Sequence, residues 1–261
     1  MRESVKGSDA NEATVTFVDG LALPPPPRTR RGGAGSPAAP NFDNKGEQAL
    51  VVGSNIVAFA KGVAPDIREA IVNCSLIAQL AGNRQVPDRE DVRAWYECYF
   101  EVLSNIGWVI QDRGFSEHHE SGAQFEANKA ILSVASVLLG PASTAFTLVE
   151  STLKAMGAMS QGPWMTIFRR ESQAAKAAKF QVSTVEKGAA GIVRLQLMAF
   201  ELDASSALTQ VLFFKLRTMD VTLRHASGGV VIDDSRLLAI APRVGERVAA
   251  YQSAFIDALQ I

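Results

Sequence analysis

With 261 residues, 47% of them apolar and 20% charged, the chain can bury one sizeable core and has an ordinary globular composition. A formal net charge of −1 supplies no basic excess, which argues against nucleic acid as a partner. Two cysteines, Cys74 and Cys98, are too few for a disulfide scaffold or a thiolate zinc site, and both fall in apolar helical patterns, as buried free thiols do.

The amino terminus, MRESVKGSDANEATV, has no apolar run behind a basic start and so does not read as a Sec signal peptide. The expected location is the cytoplasm, or outside the cell by another route. Residues 1–45 are expected to form a disordered tail. From Ala22 to Pro40 the chain is nearly all Pro, Gly, Ala, Ser and Arg, a composition that cannot bury enough apolar surface to offset its ordering entropy. Pro24 to Pro27 favour polyproline II, and the Arg28–Thr29–Arg30–Arg31 segment beside them resembles a docking peptide for a proline-reading module. Upstream, Thr14 to Val18 is a short β-prone patch, expected as a loosely held arm.

Residues 46–261 are expected to form a single α+β domain, helical over 46–178, antiparallel strands over 179–233, and helical again over 234–261. Ala49 to Lys61 is apolar and reads as a helix stopped by Gly62. Ile67, Ala70, Ile71, Cys74, Ile77, Ala78 and Ala81 recur at helical spacing behind Pro65–Asp66. A third helix opens at Pro87–Asp88 and is expected to carry Val92, Trp95, Tyr99, Val102, Leu103, Ile106 and Val109 or Ile110 toward a stop at Gly114. A polar joint follows, from Ser116 to Gly122. Ala130 to Val149 then runs twenty residues without a charge, divided by Gly140–Pro141 into two short helices. A further helix after Gly162–Pro163 carries Trp164, Ile167 and Phe168.

The period then changes to two. Phe180, Val182 and Thr184 alternate, Ile192 to Leu202 is a long strand, and Gln210 to Leu216 is an apolar strand. Val221, Leu223 and His225 alternate before a hairpin signal at Ser227–Gly228–Gly229. Spacers this short do not accommodate parallel crossovers, so an antiparallel meander is expected. Asp234 or Ser235 caps a helix that Pro242 should break. Val244, Val248, Tyr251, Phe255, Ile256 and Leu259 make the stripe of a closing carboxy-terminal helix. The fold class is thus α+β: a helical amino-terminal half packed on an antiparallel β-meander.

The chain lacks a phosphate loop, a dinucleotide fingerprint, His-Glu-x-x-His, Gly-x-Ser-x-Gly and Cys-x-x-Cys, so no cofactor or metal is expected and no catalytic residue can be named. Both cysteines sit mid-helix, away from the cation or helix amino terminus that activates a thiolate. Glu117, His118, His119 and Glu120 are consecutive, and consecutive side chains diverge, so they do not converge on one ion. His118 and His119 are instead candidates for a pH-sensitive loop.

The unusual feature is the apolar stretch 130–168, with Leu138, Leu139, Phe146, Trp164 and Phe168 as its candidate interaction or membrane face. Each half is too short to span a bilayer, and Ser133, Ser136, Ser143, Thr144 and Thr147 lie inside it, which suits a buried core hairpin. In that setting Leu138, Leu139 and Phe146 should have no water contact. The first functional expectation is a non-catalytic interaction or assembly protein that binds a protein partner or itself. The second is a membrane-active, toxin-like effector that exposes the hairpin 130–168. A third is an enzyme with a site assembled from Glu97, Glu101, Asp112, Glu117 and His118.

Overall fold

The computed structural model describes residues 2–27, 40–42, 45–119, 124–159, 161–188, 193–208, 211–213, 215–217, 220–259 and 261. It is an α+β protein built in three layers, a mixed sheet with helices on both faces. The meander expected over 179–233 is present as β6 (Ala177–Lys187), β7 (Val193–Ala204) and β9 (Val221–Val231), paired antiparallel with Phe180 opposite Phe200 and Phe200 opposite His225.

The sheet is wider than the meander. Residues 49–61 form not a helix but a hairpin, β1 (Gln48–Val52) and β2 (Asn55–Phe59). A strand buried on both faces has a continuous apolar run, which periodicity alone cannot tell from a helix. The hairpin turns at Gly53, whose φ of +58° suits glycine, and a Cβ there would collide with the Gln79 side chain. β2 pairs parallel with β6, so the sheet is mixed, not a pure meander. Within the closing helical segment expected over 234–261, Ile256–Leu259 are also a strand, β10, antiparallel to β1. The order is β10-β1-β2-β6-β7-β9-β3, with β3 being Val109–Ile110, and β4 (Ser116–His118) also pairs with β9.

The Ser227–Gly228–Gly229 signal does not make a turn. β9 runs straight through it, because Gln111 and Asp112 cross so closely that a Cβ on Gly229 would lie 2.5 Å from the Gln111 side-chain oxygen. The strand expected over Gln210 to Leu216 is absent at Val211–Phe213 and present at Lys215–Leu216. Val211 and Leu212 are buried in a turn, and β8 (Lys215–Arg217) pairs antiparallel with β5 (Gln124–Glu126).

One face carries α2 (Pro65–Gln85), α3 (Val92–Asn105), α7 (Asp234–Val248) and α1 (Arg2–Gly20). α2 is buried on nearly every side, between the sheet and its neighbours α3 and α7. α3 stops at Asn105, short of Gly114, and the chain re-enters the sheet as β3. Pro242 sits inside α7 without ending it, because Leu237, Ile240, Val244 and Val248 fix the helix on the core.

The expectation of a disordered tail over 1–45 is corrected for its first part. The Thr14–Val18 patch is helical, since docking outweighs its β propensity: Thr14, Val18 and Leu21 form a buried stripe against α7. Arg243 pairs with Asp19, Arg247 donates to the Leu21 carbonyl, and the Tyr251 hydroxyl donates to the Pro24 carbonyl at 2.6 Å. The docking-peptide reading of Arg28–Arg31 lies outside the described residues.

The other face carries α4 (Ala127–Leu139), α5 (Thr144–Ala158) and α6 (Pro163–Ser172), joined at Gly140–Pro141 and Gly162–Pro163 as expected. A four-residue helix, α8 (Gln252–Phe255), leads into β10.

Candidate functional site

The two helical layers are attached to the sheet by different physics. Between the sheet and α2–α3 lies a buried polar network. Gln79 Oε1 accepts from the Ser54 backbone N–H at 2.8 Å, and Gln79 Nε2 donates to the Val52 carbonyl at 2.8 Å. The Ser54 hydroxyl reaches Gln181 Oε1 at 3.1 Å, and Gln181 Nε2 donates to the Tyr96 hydroxyl at 3.0 Å. That hydroxyl in turn lies 2.9 and 2.8 Å from the Phe180 and Phe200 carbonyls. A second chain runs from Ser183 through Asn55 to Ser75. Such satisfied networks fix one arrangement, because separating the layers would strand each buried polar atom.

The opposite interface is apolar. Ile131, Val134, Leu148, Leu153 and Met156 rest on Val182, Met198, Phe200 and Leu202, with Phe180 and Phe200 stacked at 4.9 Å beneath them. On α5 the Thr147, Ser151 and Thr152 hydroxyls donate back to carbonyls of their own helix or its cap, and Ser143 Oγ accepts from the Phe146 N–H at 3.0 Å. Lifting this layer off the sheet therefore breaks hydrophobic contacts but strands few polar groups.

The five residues assigned to the interaction or membrane face divide into two sets. Trp164 and Phe168, 2% and 1% exposed, point inward as anchors of α6; Trp164 Nε1 donates to the Met159 carbonyl at 2.9 Å. Leu138, Leu139 and Phe146 are half-buried, not sealed from water as a core hairpin would require, because they lie at the tip around Gly140–Pro141. Beside them Val137 is 89% exposed. Solvent-facing positions from Ala130 to Val149 are apolar or hydroxylated and carry no charge.

A cavity of about 330 Å³ opens under α4, lined by His118, Ser133, Val134, Val137, Leu138, His225 and Ser227. His118 on β4 and His225 on β9 face each other with ring centroids 6.3 Å apart, and His225 lies 6.3 Å from Phe200. His225 Nδ1 is buried without a hydrogen-bond partner among the described residues. Burial pushes the His225 imidazole below its ordinary range; the neighbouring His118 adds to this and Asp112 opposes it. The pair proposed as a pH-sensitive loop is thereby split: His118 faces the α4 seat, whereas His119 points to solvent, 3.9 Å from the Glu117 carboxylate. His225 and Val137 were not singled out from the sequence. His225 stood at an inward position of its alternation, whereas Val137, three residues after Val134 and seven after Ala130, shares the stripe of buried positions and carries no local sign of its exposure.

The scattered carboxylates do not assemble into a site. Glu97 and Glu101 are exposed on α3, while Asp112 and Glu117 lie on surface segments. Among the described residues no group of three His, Cys, Asp or Glu side chains could hold a metal ion. Among them, too, no helix is long and apolar enough to cross a membrane.

No protein-family model and no curated protein matches the chain in sequence. Among solved structures it is similar to a delta-endotoxin, at TM-score 0.42 and 14% identity over 79% of this chain and 89% of that one. It is also similar to the Evf virulence factor, at TM-score 0.37 and 8% identity over 79% of this chain and 84% of that one. A third is the activated Cyt2Ba monomer from Bacillus thuringiensis subsp. israelensis, at TM-score 0.31 and 14% identity over 53% of this chain and 80% of that one. Superpositions this loose leave the reading of the site to its own geometry.

Proposed function

We propose that this is a membrane-active protein that presents the α4–α5 hairpin to a lipid surface. The observation that carries the reading is the asymmetry of the two layers. α2–α3 are hydrogen-bonded to the sheet, whereas α4–α5 are held by apolar contact, which hydrocarbon can replace. The uncharged outer surface from Ala130 to Val149 gives a bilayer a first point of contact at Val137, Leu138, Leu139 and Phe146.

Helix length sets how deep the hairpin reaches. α4 has 13 residues and α5 has 15, about 20 and 22 Å at 1.5 Å per residue, against a hydrocarbon core of about 30 Å. Neither spans, so the hairpin would lie in one leaflet with Gly140–Pro141 foremost, in the manner of an interfacial helix.

The test is vesicle binding and dye release with Val137→Asp. Because Val137 is 89% exposed, the substitution should change folding stability by less than about 0.5 kcal/mol. A carboxylate carried into hydrocarbon costs about 3 kcal/mol, so vesicle affinity should fall roughly a hundredfold. Binding by Val137→Asp equal to that of the original chain would reject the reading. Unaltered vesicle behaviour together with loss of a self-assembled species would instead make this surface a protein–protein interface.

A further inference from the structure

Away from the hairpin, the carboxy-terminal end of α6 meets the segment that precedes α3. The cavity between them, about 380 Å³, is lined by Arg89, Thr166, Arg169, Arg170, Gln173 and Leu208. Among the described residues the lining has three guanidinium groups and no carboxylate. Arg170 is committed to the fold: it pairs with Glu171 at 2.6 Å, donates to the Ala254 carbonyl at 2.7 Å, and lies over the Phe255 ring. The Glu171 carboxylate is consumed by that pair and by Asn83, which donates to it at 3.1 Å. Arg89 is held by a neutral partner, the Arg170 backbone carbonyl, and Arg169 makes no ion pair among the described residues. Two cationic forks thus remain without a carboxylate.

Gln173 lies at the same wall. The Gln173 side-chain nitrogen is buried and has no hydrogen-bond partner among the described residues, an arrangement that usually costs free energy unless something fills it. The Glu90 carboxylate, next to Arg89, accepts from the Lys176 N–H at 3.1 Å, and on the other wall the Leu208 N–H donates to the Ala175 carbonyl at 2.8 Å. The surplus positive charge is felt inside the protein. Burial first, and the Arg89 charge second, push the neighbouring Lys179 ammonium down to about 8.

We infer that this pocket binds the phosphate of a phosphomonoester, with Arg89 and Arg169 as donors and Thr166 and Gln173 at its wall. Guanidinium forks match phosphate oxygens in geometry as well as charge. The depression is open to solvent and larger than a single phosphate, so a phosphate held there can carry a substituent outward. The phosphate can belong to a soluble metabolite or to a lipid headgroup. The site stands independently of the hairpin reading, since none of its residues lies on the α4–α5 tip.

The experiment uses the full chain and two probes: glycerol 3-phosphate at constant ionic strength, and phosphatidylcholine vesicles with and without phosphatidate. Glycerol 3-phosphate should bind and raise the melting temperature. Arg169→Gln, an exposed change that should not disturb folding, should weaken binding tenfold or more, and Arg89→Gln should do the same. Arg194→Gln, an exposed arginine at the far end of β7, should change nothing. If Arg89→Gln fails to fold, Arg169→Gln decides. Vesicle binding that needs phosphatidate and is lost in Arg169→Gln assigns the headgroup as source; binding of the soluble probe alone assigns a metabolite; both support the site. Failure of both probes, normal binding by Arg169→Gln, or equal weakening by Arg194→Gln would overturn it. Val137→Asp should keep its affinity for glycerol 3-phosphate, so the two proposals can fail separately.

Discussion

If one helical layer is tied by hydrogen bonds and the other by apolar contact, the two should open separately, and one pair of substitutions can show it. Tyr96→Phe removes the hydroxyl that lies 2.8 Å from the Phe200 carbonyl and accepts from Gln181 at 3.0 Å. The lost net hydrogen bond costs about 1 kcal/mol, and the buried Gln181 amide left without its partner costs about 1–3 kcal/mol, for a total of about 2–4 kcal/mol. All of that penalty falls on the α2–α3 side. A state in which only α4–α5 has lifted keeps the Tyr96 contacts, so its population should not change. Leu153→Ala acts on the other layer. Leu153 is 4% exposed in α5, and its truncation should cost about 2–5 kcal/mol, most of it in the seat of the hairpin. Local opening should then become roughly 30- to 4,000-fold more populated. Native-state hydrogen exchange separates the cases, read on peptides covering 127–158 and 65–105. Tyr96→Phe should lower the global melting temperature while exchange over 127–158 stays as it was. If Tyr96→Phe accelerates 127–158 as strongly as 65–105, the layers form one cooperative unit and the argument for a detachable hairpin fails.

What could be read from the sequence was set by how far each segment's local pattern agreed with its tertiary role. α2, α3 and the Gly140–Pro141 hairpin were legible because their periodicity and breakers agree with where they pack. β1 and β2 were not, because Ala49 to Phe59 is buried on both faces and so lacks alternation. β10 was misread because Ile256 and Leu259 also fit a helical stripe, and only pairing with β1 decides between the two. α1 was hidden for the converse reason: its β-branched Thr14, Val15, Thr16 and Val18 oppose a helix that docking on α7 imposes. The site was half visible. The uncharged stretch 130–149 pointed to the hairpin, but nothing local indicated that Trp164 and Phe168 turn inward while Val137 turns out. The pairing of His118 with His225 joins residues more than a hundred positions apart, as does the meeting of Gln181 with Ser54. Long-range juxtaposition of this kind has no signature in a single sequence.

Two further outcomes follow from buried titratable groups. Cys74 is fully buried, and burial pushes its thiol up to about 12 despite the neighbouring Trp108. A thiol reagent at pH 8 should therefore label Cys74 only under conditions that unfold the chain; rapid labelling of the native protein would contradict its place in the α2 core. His225 predicts a pH dependence. The groups that face it are His118 from β4, Asp112 from the segment after β3, and from α4 only Ser133, Val134, Val137 and Leu138, none of them charged. Glu117 and Arg224 alternate onto the opposite face of their strands. Because burial lowers the folded-state value, the unfolded chain, titrating at about 6.5, binds a proton more readily than the folded one. His225 thus adds nothing to the pH dependence above about 6.5. As pH falls from there toward the lower folded value, stability is lost, and the loss should centre on the α4 seat because His225 lies beneath it. Exchange of α4 amides, corrected for intrinsic rates, should rise between pH 7 and pH 5 while α2 stays protected. His225→Gln, which keeps the ring's approximate volume without its titration, should flatten that rise. Equal acceleration in His225→Gln would place the responsible group elsewhere and remove the His118–His225 pair from any role in loosening the hairpin.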